Sequence, residues 1–230
     1  SRVRRALGRI GEAANRKRRA LLDCERRTMA DARVRFFAAL SGYVVEQFER
    51  HYGVAPARIR LIPNAVNTPP LDEADRAERR AATRRKLGLD EARAVYLFSA
   101  YNPKLKGAFP LLEAWAKLTG DHERAVLLMT GRITRRLRRW AARLGLGESV
   151  RWVGATAEMV DYYCAADVLV HPTFYDPASR VVIEALRHGM PAITTRFNGA
   201  ADLLLGPDNT WRGRVVARPG DVDDLAAAMG

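Results

Sequence analysis

From residue 93 to the carboxyl end, short apolar runs alternate with amphipathic stretches six times, and this restricts the fold more than any other property of the sequence. The apolar runs predict strands at 94–100, 125–130, 150–153, 167–171, 191–195 and 213–217. Helical spacing predicts helices at 107–118, 132–144, 156–165, 178–188, 198–205 and 221–229. Strands such as Val168-Leu169-Val170 lack the polar alternation of a sheet with one wet face, so both faces must be covered. An α/β fold built on a parallel sheet with helices on both faces satisfies that demand. Such sheets bind ligands beyond the carboxyl ends of their strands, which points to the loops after residues 100, 130, 153, 171 and 195.

Upstream the pattern is less regular. An arginine-rich amphipathic helix is expected over 2–30, with Leu7, Ile10, Ala14, Leu21 and Leu22 at helical spacing. A strand at 34–40 follows, then Ser41 as the cap of a helix from Tyr43 to His51 that ends at Gly53, and a second strand at 58–62. Pro63-Asn64-Ala65-Val66-Asn67-Thr68-Pro69-Pro70 reads as a linker, before a charged helix over 72–87 stopped by Gly88. A first division at 1–66 and a second at 67–230 are expected.

With 230 residues and 48% hydrophobic content the chain can bury one large core or two small ones. Its longest apolar runs, such as 125–129, fall well short of the roughly 20 residues that cross a bilayer. The basic amino end has no apolar segment behind it and so does not read as a secretory signal, and without an initiator Met the chain reads as a fragment. Cys24 and Cys164, far apart within helical patterns, suit a reducing compartment, and a cytoplasmic location is expected. The net charge of +13 implies attraction to polyanions, whether nucleic acid, anionic lipid or phosphorylated ligands. Much of it lies at 16–19 and 132–143 on stretches that read as solvated helix faces, and the helix over 2–30 offers peripheral contact with an anionic membrane.

The densest chemistry lies at 171–191. A strand ends at His171, a loop carries Asp176, and a helix expected to begin near Ala178 carries Glu184 about two turns in. Free N–H groups at Ala178, Ser179, Arg180 and Val181, together with the positive end of the helix dipole, make an anion site suited to a diphosphate. His171 sits at a strand end where such folds bind ligands, and packing is the alternative for it.

This segment resembles the signature of glycosyltransferase family 4, retaining enzymes of the two-domain GT-B type. The likeness rests on two acids with seven residues between them, Asp176 and Glu184, and on Ala185-Leu186-Arg187-His188-Gly189-Met190-Pro191 behind them. It continues through Ala192-Ile193-Thr194-Thr195 and Asn198-Gly199-Ala200-Ala201. The resemblance implies a Rossmann-like donor domain, with a remnant of the acceptor-binding domain ahead of it whose core is missing. It implies transfer of a sugar from a nucleoside diphosphate sugar to a glycan or lipid-linked acceptor, with retention. In that scheme Asp176 meets sugar hydroxyls and Glu184 the ribose, although the family usually has a longer Glu where Asp176 stands.

Lys106, in Tyr101-Asn102-Pro103-Lys104-Leu105-Lys106-Gly107, resembles the family's Lys-Gly step at a helix mouth, where a cation steadies the departing diphosphate. The family's preceding arginine is absent from Phe98-Ser99-Ala100, so Lys104 or an arginine from elsewhere takes its place, or donor binding is weaker. Gly131 after one strand, and Val153, Gly154 and Thr156 after the next, are candidates to pack against the base and ribose. No metal is expected, since the resemblance implies that a lysine and helix dipoles stabilise the leaving diphosphate. Without the rest of the acceptor domain, the expectation is nucleotide binding with slow sugar transfer or none. Two other readings stand beside this one. The first is a basic nucleic-acid-binding module, disfavoured by the lack of aromatics among the basic residues; the second is a related GT-B epimerase or phosphorylase.

Overall fold

The computed structural model describes residues 2–68, 70–118, 124–204 and 210–230, with side chains from residue 16 onward. Ser1, Pro69 and Leu205, and the side chains of Leu7, Ile10 and Ala14, lie outside the described residues. The chain divides into two compact units, Ser1–Ile62 and Pro63–Gly230.

The first unit holds α1 (Arg2–Ala30), β1 (Phe37–Ala39), α2 (Gly42–Tyr52) and β2 (Ile59–Leu61). The two strands pair in parallel with Phe37 opposite Ile59, over a small core of Phe37, Ala39, Val54 and Ile59. Ser41 caps α2 by accepting the Val44 N–H, and Gly53 ends it in a left-handed conformation at φ 60°. The strand expected over 34–40 is only three residues long. The Arg58 guanidinium takes the carbonyls of Asp31 (2.8 Å) and Val34 (2.6 Å), removing Val34 from any ladder.

The second unit holds α3 (Glu73–Lys86), β3 (Ala94–Ala100), α4 (Ala108–Lys117), β4 (Ala125–Gly131), α5 (Arg135–Arg143) and β5 (Val150–Gly154). It continues with α6 (Met159–Ala165), β6 (Val168–His171), α7 (Arg180–Arg187), β7 (Ala192–Thr195), β8 (Gly213–Val216) and α8 (Val222–Met229). Six parallel strands form one sheet in the order β5-β4-β3-β6-β7-β8. Alternate residues of β4 serve different cores: Leu127 and Met129 join Leu111, Trp115, Leu137 and Leu225, while Val126 and Leu128 join Tyr162, Tyr163 and Val182. Helices α4, α5 and α8 therefore cover one face and α6 and α7 the other, as the unbroken apolar strands require.

Several helices begin later than their sequence pattern suggests, each time because a side chain captures the first N–H groups. Thr156 takes the Glu158 N–H, and α6 starts only at Met159. The helix expected over 198–205 is a 3₁₀ turn, Gly199–Leu203, opened by Asn198, whose Oδ1 accepts from both Ser179 and Ala200. Near Ala178, Asp176 Oδ1 accepts the Ala178 N–H at 3.2 Å, and Ser179 is extended. Ala178 and Ser179 thus precede the helix, and α7 begins at Arg180.

Candidate active site

From β3 the sheet grows outward through β4 to β5, then the chain returns to lay β6 against the other side of β3. The loops after β3 and β6 leave this reversal point in opposite directions and open a crevice at the carboxyl ends of the strands. Both loops are pinned. In the first, Asn102 Oδ1 accepts the Leu105 N–H and the Asn102 carbonyl accepts the Lys106 N–H. In the second, the Phe174 N–H donates to the Leu105 carbonyl at 2.9 Å, and the Thr195 hydroxyl donates to the Thr173 carbonyl at 2.6 Å. Gly107, at φ 79°, lets the loops touch: a Cβ there would lie 2.0 Å from the Pro172 oxygen.

This stitching brings Lys106 and Asp176 together across 70 residues of sequence. Lys106 Nζ lies 2.6 Å from Asp176 Oδ2 and 3.2 Å from the Tyr175 carbonyl. Both side chains are mostly buried, at 20% and 13% exposure, so the pair is only weakly screened by water. Burial alone would raise the Asp176 pKa, but its charged neighbourhood outweighs burial and holds the carboxyl below its usual range. The Lys106 ammonium is the neighbour that decides this, because His171 Nε2, at 3.9 Å, is beyond hydrogen-bonding distance.

His171 lies beneath the pair, 1% exposed and stacked on Phe98 at 6.0 Å. Neither of its ring nitrogens has a hydrogen-bond partner among the described residues. Burial pushes its pKa down and, helped by the Lys106 charge, outweighs the opposing pull of Asp176, so the ring is neutral near pH 7.

The other acid belongs to a different cluster. Glu184 Oε2 accepts the Tyr163 hydroxyl at 2.8 Å, and Glu184 Oε1 lies 3.5 Å from Arg180. Burial and then the Glu184 hydrogen bond raise the Tyr163 pKa, so this phenol stays a donor. At the amino end of α7 the Ser179 side chain makes no capping bond and its N–H goes to Asn198. Among the described residues the N–H groups of Arg180, Val181 and Val182 meet no protein acceptor; Val182 is fully buried, so it is Arg180 and Val181 that face an anion.

The remaining candidates line the other strand ends. Gly131 closes β4 at φ 87°, where a Cβ would meet the Ala100 oxygen at 2.2 Å. Val153 and Gly154 end β5, and Gly154, at φ 84°, has open space where a Cβ would point. Lys104 is exposed, and no described contact links it to the Lys106–Asp176 pair. Asp167 is structural: it accepts from Arg80, from the buried Arg84 and from the Val95 N–H. Sequence reasoning passed over Tyr163, Thr173 and Asn198, which orient Glu184, the β6 loop and the α7 entrance, because their roles depend on partners distant in the chain. Among the described residues no three His, Cys, Asp or Glu side chains gather where a metal ion would sit.

Residues 79–230 match the family described as glycosyl transferases group 1, and residues 4–69 match the one described as glycosyltransferase family 4. The chain therefore belongs to the group 1 glycosyl transferases. It is 31% identical over 204 residues to a D-inositol 3-phosphate glycosyltransferase of Streptomyces scabiei, covering 79% of this chain and 45% of that protein. To the lipopolysaccharide glucosyltransferase WaaG of Escherichia coli it is 24% identical over 203 residues, covering 87% and 54%. The crystal structure of WaaG, a glycosyltransferase involved in lipopolysaccharide biosynthesis, superposes with a TM-score of 0.69 at 24% identity, over 84% of this chain and 52% of that one. Anabaena Alr3699/HepE, solved in complex with UDP and glucose, gives 0.67 at 21% identity over 84% and 52%. The fold is thus the Rossmann-like α/β architecture of GT-B glycosyltransferases, and the chain spans about half the length of the curated relatives it matches.

Proposed function

We propose that residues 67–230 bind the donor of a retaining glycosyltransferase, which passes a sugar from a nucleoside diphosphate sugar to a glycan or lipid-linked acceptor. In this reading residues 1–66 come from the acceptor-binding half and its linker. The observation that carries it is the Lys106–Asp176 pair, held at the reversal point of the sheet beside the open amino end of α7. The diphosphate lies against the N–H groups of Arg180 and Val181, where the helix dipole favours negative charge. Lys106 turns from Asp176 to the diphosphate as charge gathers on it. Asp176, kept ionised, is then free to accept from sugar hydroxyls, and Glu184 from the ribose. The base extends along the strand ends towards Gly131, Val153, Gly154 and Thr156, since β6 and β5 lie three strand spacings apart, about 14 Å.

UDP-sugars are the first donors to try, since the HepE structures hold UDP and UDP-glucose. A role in building cell-envelope polysaccharide from the cytoplasmic side, with the arginine-rich α1 near anionic lipid, fits the same reading. No helix among the described residues is long and apolar enough to cross a membrane. Calorimetric titration with UDP, GDP, ADP and their sugars tests the donor site. One base should bind at a single site, and Lys106→Ala should weaken it by about tenfold or more through loss of a charge-assisted contact. Absence of binding by every nucleotide would remove the reading.

A further inference from the structure

Beside the donor crevice lies a hollow with two chemical ends. One part, about 470 Å³, has apolar walls from Leu105, Phe109, Pro110 and Phe174 and runs to Lys104 and Arg136. An adjoining part, about 410 Å³, shares Lys104, Phe109 and Arg136 and adds Arg132 and Tyr101. Among the described residues no carboxylate lines either part, so three cations share a wall without a counter-charge from them. Two of them rest near aromatic rings: the Arg136 guanidinium is 5.3 Å from the Phe109 centroid and that of Arg132 is 6.0 Å from the Tyr101 centroid. The apolar end borders the proposed chemistry, since Leu105 precedes Lys106 and Phe174 lies two residues before Asp176.

We infer that this hollow is a second anion site, which seats a phosphate-bearing amphiphile. Its phosphate meets Lys104, Arg132 and Arg136, and its aliphatic part covers Leu105, Phe109, Pro110 and Phe174. A phosphomonoester carries close to two negative charges near pH 7 and presents oxygens that fit guanidinium forks, so it matches a cluster dominated by arginine. Exposed apolar surface next to such a cluster favours a ligand with a hydrocarbon portion over a bare ion. Resting on the donor reading above, the inference gives the donor half its own hold on the acceptor, beside that of the acceptor-binding half, with the ligand's free hydroxyl end reaching past Leu105 and Phe174 towards the bound sugar. Lys104, expected from the sequence beside the donor diphosphate, belongs to this second site instead.

Octyl phosphate is the probe, with inorganic phosphate, octyl glucoside and phosphatidylglycerol vesicles as the other arms, each titrated with and without UDP. Octyl phosphate should bind saturably, at one site and without competition from UDP, and more tightly than inorganic phosphate or octyl glucoside. The double variant Arg132→Gln, Arg136→Gln should weaken it by about tenfold or more while leaving UDP binding intact. The control Arg138→Gln, Arg139→Gln, at two further exposed arginines of α5 that line neither part of the hollow, should leave octyl phosphate binding unchanged. Equal loss in the control, displacement by UDP, or binding of vesicles but not of octyl phosphate would overturn the inference. Octyl phosphate binding without any nucleotide binding would instead remove the donor reading and leave the anion site standing.

Discussion

Gly107 and Gly154 have nearly the same backbone, φ 79° and 84°, and very different surroundings. A methyl group at Gly107 would strike the Pro172 oxygen, whereas none lies within 4 Å at Gly154. Gly154→Ala should therefore cost only the left-handed strain, about 1 kcal/mol, and Gly107→Ala well beyond 2 kcal/mol, in urea melts followed by circular dichroism. His171 supplies a pH test. Burial depresses its folded pKa, while in the unfolded chain it titrates near 6.5, so below that pH the unfolded state takes up a proton that the native state refuses. Stability should fall as pH drops from 7 to 5.5, at no more than about 1.4 kcal/mol per pH unit for each such histidine. His188, depressed mainly by burial, adds to the slope, and His171→Asn should make it shallower without abolishing it. Asp176 does not confuse this window: its folded pKa is lowered, so its contribution is lost only in stronger acid. An unchanged slope in His171→Asn would contradict the buried neutral ring. At this scale local motifs marked Lys106 and Asp176, and the fold brings the two within 2.6 Å of each other. The sequence was silent about Tyr163 because nothing local marks a tyrosine as the partner of a glutamate 21 residues on.

Among the elements, α3 shows how a charge within the fold differs from one on its surface. Arg84 is 1% exposed and donates to the carbonyls of Ala165, Asp90 and Arg93 and to Asp167. Arg79, on the same helix, pairs with Asp161 while about half exposed. Arg84→Ala should destabilise the protein by about 3 kcal/mol, because the carbonyls of Ala165, Asp90 and Arg93 lose this donor and Asp167 keeps only Arg80 and the Val95 N–H. Arg79→Ala should cost far less, because water screens its exposed pair. Similar losses for the two variants would show that the network around Asp167 does not hold α3 to the sheet. The elements themselves were legible from periodicity, since the buried strands and amphipathic helices each carry their own pattern. Their starts were not, because Asp176, Asn198 and Thr156 capture N–H groups that a periodic pattern assigns to a helix.

For the molecule as a whole, six strands covered on both faces were readable from the alternation, but their order in the sheet was not. That order depends on β6 returning to β3, which no short-range signal encodes, and it is what creates the crevice. The charge of +13 acts at this scale too. Diffuse binding to heparin should weaken steeply between 50 mM and 200 mM salt, roughly in proportion to the ions released, while nucleotide binding should change far less. The most direct test of the central claim is a UDP titration of the ¹⁵N-labelled protein followed by amide chemical shifts. The account predicts the largest shifts at Lys106 and Gly107 and at Arg180 and Val181, saturating together. Saturable UDP binding that leaves those amides unmoved, with shifts confined to α1 or the outer face of α5, would contradict it.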